Sequence, residues 1–367
     1  MKKIKFKFLA LLMCFMMTAG LLGGCQTDNT KTNTAAESQS AENTSQADPV
    51  QSEERAVTDM ADRQVAVPEE INSIATFGSI GVLNAFVELM GEGSKICNNM
   101  SPRFTSNDKW AMQYEFAPQM ADCPVFEDQS GEIVMEEVLK AEPDLCLCMS
   151  KDTADLLEAQ GLTVIVLNWS ELDDVDTCIN LLGEVLNKKE IAEDYLTYFD
   201  DTVKKAEDLL KDVPESDRKK VLYGDISSLT QPHSIAEWWI AAAGGISVTD
   251  NGRTEESYTY TAEDLLSWNP DVIIASSGKV IEETKANSLY ADIPAVQNDK
   301  MYAIPTVAHV WGNRTVEQPL TILWTMNKLY PDIMTDEELS KEISYFYEHF
   351  FLTSLTDEQI AKIIGNK

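Results

Sequence analysis

The sequence is short of histidine, of arginine and of recognisable catalytic signatures. Its three histidines are His233, His309 and His349. Capture of bare zinc or manganese takes several histidines and carboxylates converging on one point. His349 falls in the C-terminal helical tail, so no resident metal and no cofactor are expected. Arginine is confined to Arg55, Arg63, Arg103, Arg218, Arg253 and Arg314. Lysine and arginine together number 29 against 61 acids, a net charge of −32. So acidic a surface repels nucleic acid and anionic lipid. There is no P-loop, no G-x-S-x-G elbow and no H-E-x-x-H helix. Those absences remove the usual frames for phosphate cradling, acyl transfer and zinc-assisted hydrolysis. Gly91-x-Gly93 lacks a third glycine and reads as a turn. Cys146 and Cys148 stand one residue apart, which is not the Cys-x-x-Cys of redox or zinc chemistry.

What is present begins with a leader. Lys2, Lys3, Lys5 and Lys7 precede an apolar run over residues 8–22, which ends in Gly23-Gly24-Cys25. About 15 apolar residues is the length of a signal peptide and short for a membrane span. Leu22-Gly23-Gly24-Cys25 resembles a bacterial lipobox, which implies removal of residues 1–24 and acylation of Cys25. Several acyl chains hold a protein at a membrane surface. Residues 25–56 are rich in Thr, Ser, Asn, Gln, Ala and Glu and have little to bury, so they read as a disordered tether. As flexible coil, about 30 such residues average roughly 30 Å end to end. Cys97, Cys123, Cys146, Cys148 and Cys178 remain and cannot all pair. Cys146 and Cys148 alternate on one strand and face the same side.

A chain of 367 residues exceeds one compact core, and 44% hydrophobic content supports globular folding. Two stretches match. Glu136-Glu137-Val138-Leu139-Lys140-Ala141-Glu142-Pro143-Asp144 leads into Leu145-Cys146-Leu147-Cys148, and Glu263-Asp264-Leu265-Leu266-Ser267-Trp268-Asn269-Pro270-Asp271 leads into Val272-Ile273-Ile274-Ala275. Each reads as a short helix stopped by proline, a turn and a buried strand. Between them, residues 188–213 carry Ile191, Tyr195, Tyr198, Phe199, Val203, Ala206, Leu209 and Leu210 at helical spacing, with no internal proline or glycine. Pro214 closes the run. Two similar lobes around a rigid spacer follow, at residues 57–187, 188–213 and 214–367. Strands and helices alternate in both lobes, which calls for parallel sheets covered on both faces. The expected fold class is α/β: two Rossmann-like lobes with mostly parallel sheets, joined by one long α-helix.

This pattern resembles the ABC-transporter substrate-binding proteins for ferric siderophores, heme and cobalamin, whose two α/β lobes are joined by one long helix. The resemblance runs from Val57-Thr58-Asp59-Met60-Ala61-Asp62-Arg63 to Glu317-Gln318-Pro319-Leu320 and Leu329-Tyr330-Pro331, and covers nearly all of residues 57–350. It implies that one glutamate on each lobe, Glu136 and Glu263 by position before the Pro-Asp pair, docks into arginine pockets of a permease. Read from the residues alone, both are acids at helix starts, favourable near a positive dipole end.

Ligands of such sheets sit beyond the carboxyl ends of the strands. The candidates there are Ser79, Asn98, Arg103, Trp110, Trp169, Tyr223, His309, Trp311 and Arg314. Arg103 and Arg314, one per lobe, suit an anion by bidentate hydrogen bonding. Arg314 and Glu317 are also spaced to pair on a helix. The indole rings suit a flat, partly apolar chelate, and His309 or Tyr223 is a candidate axial ligand for heme iron. The sequence thus points to a lipid-anchored, monomeric receptor on the extracytoplasmic face of the cell membrane. It would bind a small metal chelate between its lobes and hand it to an ABC permease and its ATPase. A ferric siderophore is the first expectation, heme or a corrinoid the second, a molybdate-type oxyanion the third. The receptor is expected to do no chemistry; the rivals of another class are a surface lipoprotein enzyme, for which no convergent acid, base or nucleophile is seen although Asp225, Glu237 and His233 lie near one another in sequence, and a scaffold without a small ligand.

Overall fold

The computed structural model describes residues 55–78 and 80–365. The leader, Cys25, most of the tether and Ser79 lie outside the described residues. The described structure begins with Arg55, two residues inside the expected tether. There β1 (Arg55–Thr58) pairs antiparallel with β2 (Gln64–Val67), and the Arg55 guanidinium donates to the Glu184 and Val185 carbonyls at 2.7 and 2.9 Å.

The first lobe continues through β3 (Ile74–Thr76), α1 (Ile80–Leu89), α2 (Pro102–Thr105), α3 (Gln113–Phe116), α4 (Met135–Ala141), β4 (Leu145–Cys148), α5 (Lys151–Glu158), β5 (Val164–Val166) and α6 (Leu172–Val185). Its sheet runs β3-β4-β5, all parallel. All four residues of β4 are buried rather than every second one, because helices cover both faces. Cys146 and Cys148 belong to that core as free thiols.

Next comes α7 (Lys189–Leu210). It buries Ala192, Tyr195, Phe199, Thr202, Ala206 and Leu210, a single stripe at spacings of three and four. Leu209, expected on that stripe, is exposed. The Tyr195 hydroxyl donates to the Val316 carbonyl at 2.9 Å, which ties the helix to the second lobe.

The second lobe contains β6 (Lys220–Gly224), β7 (Thr230–Gln231), α8 (Ile235–Ala242), β8 (Ile246–Ser247), β9 (Tyr258–Thr259), α9 (Ala262–Trp268), β10 (Val272–Ala275), α10 (Gly278–Ala286), α11 (Pro294–Gln297) and β11 (Met301–Ala303). Its parallel sheet has the order β11-β10-β6-β8, and β7 and β9 form a small antiparallel pair. The chain ends with α12 (Gln318–Leu329), α13 (Asp336–His349) and α14 (Asp357–Ile364). From α13, Tyr347 stacks on Phe116 of the first lobe with ring centroids 5.1 Å apart, and Phe351 follows it onto the same ring.

The matching stretches fold alike. Helices α4 and α9 both end on a left-handed residue, Glu142 at φ 47° and Asn269 at φ 50°. The Pro-Asp aspartate then reaches the neighbouring strand. Asp144 accepts from the Asn72 and Ser73 backbone N–H groups at 2.8 and 3.0 Å, and Asp271 accepts from the Lys220 N–H at 2.8 Å. Each aspartate fastens the start of one parallel strand to the start of the next.

Candidate functional site

The strand ends and the segment after β11 bring one cluster together. Trp110 lies against the start of α1, where a side chain at Gly81 would collide with its ring. From the other lobe His309 stacks on that indole, with centroids 5.3 Å apart and planes at 25°. The imidazole is half-buried. Burial, with the nearby charges of Lys109 and His233, pushes its pKa down to about 3, so it is neutral across ordinary pH. Its Nε2 faces the Asn313 amide at 3.3 Å, and its Nδ1 is buried with no partner among the described residues. Beneath this stack a polar chain crosses between lobes. The Thr76 hydroxyl donates to Asn84, Asn84 donates to Gln113, and the Gln113 amide donates to the Ala308 carbonyl.

Arg314 stands beside the stack, its side chain only 9% exposed. Its Nη1 donates to Glu256 Oε1 at 2.6 Å and its Nη2 reaches the Ser234 hydroxyl at 3.3 Å. His233 Nδ1 meets the same carboxylate at 2.8 Å, and Ser234 donates to Glu256 Oε2 at 2.8 Å. Arg314, His233 and Ser234 are therefore a cradle of three donors around one carboxylate. Partial burial works to raise the pKa of Glu256. The hydrogen bonds from Arg314, His233 and Ser234 outweigh it and bring the value to about 2.

Several expectations are corrected. Arg314 pairs with Glu256 and not with Glu317. Glu317 is fully buried and turns the other way, accepting from the Ala308 and His309 N–H groups at 2.9 and 2.6 Å and from the Tyr347 hydroxyl. Asn98 is buried, and its amide is spent on Thr76. Tyr223 is core: its ring packs on Trp239, and its hydroxyl lies where a side chain at Gly312 would stand, so it does not face a ligand. Trp311 is fully buried as well. Tyr223 lies within β6, Asn98 follows an isolated bridge at Ile96 and Trp311 lies eight residues past β11, and each of the three side chains is buried. Trp169 is half-buried against Phe86, with centroids 5.1 Å apart.

Arg103 is exposed, donates to the Gly78 carbonyl at 3.3 Å and stands 4.0 Å from buried Glu127. It reaches the cluster through Phe104, which meets Trp110 edge-on. Asp225, Glu237 and His233 do not converge: they engage Ser276, Arg253 and Glu256 respectively. Among the described residues no group of three or more His, Cys, Asp or Glu is placed to hold a metal ion. Glu136 and Glu263 are exposed in the first turns of α4 and α9, and three residues on each helix exposes a leucine, Leu139 and Leu266.

Ser234, His233 and Glu256 were not selected as ligand contacts from the sequence. Their one available signal was the place of His233 in a strand-end loop. Glu256 comes from a loop with no motif. Concavities of 430 Å³ beside α7 and 570 Å³ between α13 and α14 contain none of the expected residues.

Comparison with known proteins agrees with this architecture. A family model described as periplasmic binding protein matches residues 101–308. The molybdate-binding protein MolA of Haemophilus influenzae is 23% identical over 350 residues, spanning 84% of this chain and 94% of MolA. Its structure bound to molybdate superposes with a TM-score of 0.70 at 21% identity, covering 82% of this chain and 99% of that one. A periplasmic solute binding protein from Veillonella parvula gives a TM-score of 0.72 at 24% identity, covering 85% and 97%. Helicobacter pylori CeuE in a Ni-His complex gives 0.64 at 15% identity, covering 84% and 98%. The extent of the family match and the two-lobed fold together place this chain in the periplasmic binding protein family, the solute-binding receptors of ABC transporters.

Proposed function

We propose that this receptor binds a tetrahedral oxyanion of the molybdate type in the cradle of Arg314, His233 and Ser234, and that it works from a lipid anchor on Cys25. The observation that carries the reading is the convergence of three donors on one carboxylate, in a protein with very few arginines. Charge-assisted hydrogen bonds to an oxyanion are short and directional, and a guanidinium offers two at once. The relationship to MolA, named as molybdate-binding, supports the same class. A ferric siderophore is the second reading. It is favoured by the Trp110–His309 stack at the junction of the lobes, which suits a flat chelate. Heme is the third reading, with His309 as its candidate axial ligand, since Tyr223 is buried against Trp239.

Delivery follows from Glu136 and Glu263. An exposed acid beside an exposed leucine on each lobe makes a matched pair of contacts for a permease carrying arginines. The folded part would stand off the membrane on the tether.

Calorimetric titration of the purified protein tests the ligand. Molybdate, tungstate and sulfate form one panel, and ferric siderophores, heme and cobalamin the other. Molybdate binding is expected, with Arg314→Ala weakening it about ten- to hundredfold for the loss of a bidentate charged contact. Binding of a siderophore with no response to any oxyanion selects the second reading.

A further inference from the structure

We propose that Glu256 is an internal competitor for the anion cradle: a tethered carboxylate that a ligand must displace, and that lowers affinity for every oxyanion by a common factor. The inference rests on the oxyanion reading of this site and assigns it a built-in regulator.

The two partners are built differently. Arg314 is permanent, with its side chain 9% exposed, whereas the Glu256 side chain is 47% exposed. Glu256 comes from the segment 250–257 between β8 and β9, and every residue of that segment except Arg253 is exposed. Arg253 is the anchor. Its guanidinium is held by the Glu237 carboxylate, the Gln231 side chain and, at 2.7 Å, the Thr249 carbonyl. Its Nε also donates to the Glu255 carbonyl at 3.2 Å, so the part free to lift is the Glu256 side chain just beyond this anchor. Gly252, at φ +73° with open space around it, supplies a flexible joint before the anchor. Lifting Glu256 therefore disturbs no core packing.

Glu256 engages Arg314 Nη1, His233 Nδ1 and the Ser234 hydroxyl. A tetrahedral oxyanion carries four acceptor oxygens against the carboxylate's two, and it meets the three engaged donors once Glu256 has lifted. Against it stands the local concentration of a tethered group, on the order of millimolar or more for a short loop. If only the displaced fraction of receptor binds, apparent affinity falls by that fraction whichever anion arrives. Once ligand has left for the permease, the carboxylate returns and suppresses rebinding.

The test compares wild type, Glu256→Gln and the neighbouring control Glu255→Gln. Equilibrium constants and stopped-flow rates are measured with molybdate and with sulfate. Glu256→Gln keeps the shape of the side chain and removes its charge. Competition predicts that it tightens both anions by the same factor, on the order of tenfold or more, through a faster on-rate and an unchanged off-rate. Glu255→Gln should match wild type. Wild type that binds molybdate, with a variant that binds equally or more weakly, overturns the competitor and leaves the oxyanion reading intact. Clearly different factors for the two anions also overturn it, since Glu256 would then be touching the ligand. If neither wild type nor Glu256→Gln binds any oxyanion, the oxyanion reading itself fails and this inference fails with it.

Discussion

Both carboxylate oxygens of Glu88 are buried without a hydrogen-bond partner among the described residues. Burial raises the Glu88 pKa well above its ordinary 4.5, and the charge of Glu317 adds to the effect. The Tyr347 hydroxyl shares this interior and is pushed up too. Glu317, also buried, is lifted to about 7 despite its donors, the Tyr347 hydroxyl and the Ala308 and His309 backbone among them. A raised folded-state pKa gives a contribution that is fully present below about 4.5 and is lost as pH rises through the folded value. Glu88→Met should therefore stabilise the protein, by about 1–3 kcal/mol from the unsatisfied group alone. The gain should be larger at pH 8 than at pH 5. Thermal melts of both forms across that range check it, and a gain that shrinks with pH would contradict the buried-acid account. At this scale the sequence was least informative. Asn98, Tyr223 and Trp311 stand where ligand contacts were expected, yet a strand end offers two directions, and spacing does not tell which side chain turns into the core. Glu88 gave no signal, because an acid in an apolar helix pattern reads as the solvent face.

Elements were far more legible. Helix α7, the two short helices before Pro-Asp and the buried strands after them all follow from periodicity and punctuation. The hairpin of β1 and β2 escaped notice because its strands have four residues each and follow a polar stretch. Helix α10 escaped because only Val280, Ile281 and Thr284 are buried on it, too few to set a period. The repeated aspartates have unequal work. Asp144 accepts two backbone N–H groups and the Ser73 hydroxyl, at 2.8 to 3.1 Å, whereas Asp271 accepts one backbone N–H. At roughly 1 kcal/mol per bond, Asp144→Ala should cost about 2–3 kcal/mol and Asp271→Ala about 1. Denaturant unfolding would reveal the difference, and equal costs would mean that the shared motif owes its stability to the turn rather than to the bond.

For the whole molecule, the two lobes and their joining helix could be read in advance because each lobe repeats the same local grammar. The cradle could not, since its parts come from three separated segments. Docking belongs to this scale, because Glu136 and Glu263 sit on different lobes and act only as a pair. Reversing both to lysine should abolish ligand uptake in cells while leaving affinity of the purified receptor within about twofold, as befits exposed charges far from a site. Uptake assays and titration together decide it; a parallel fall in affinity would remove these acids from the permease contact.

The stacking of Tyr347 and Phe351 on Phe116 has a temporal meaning. A ribosome makes Phe116 well over 200 residues before Tyr347, so the first lobe must wait for α13 before part of its interior is sealed. Contacts between such distant positions form slowly, because a long loop has to be closed first. Until then the nascent polypeptide remains incompletely folded, a condition that favours threading through a narrow export channel over premature collapse.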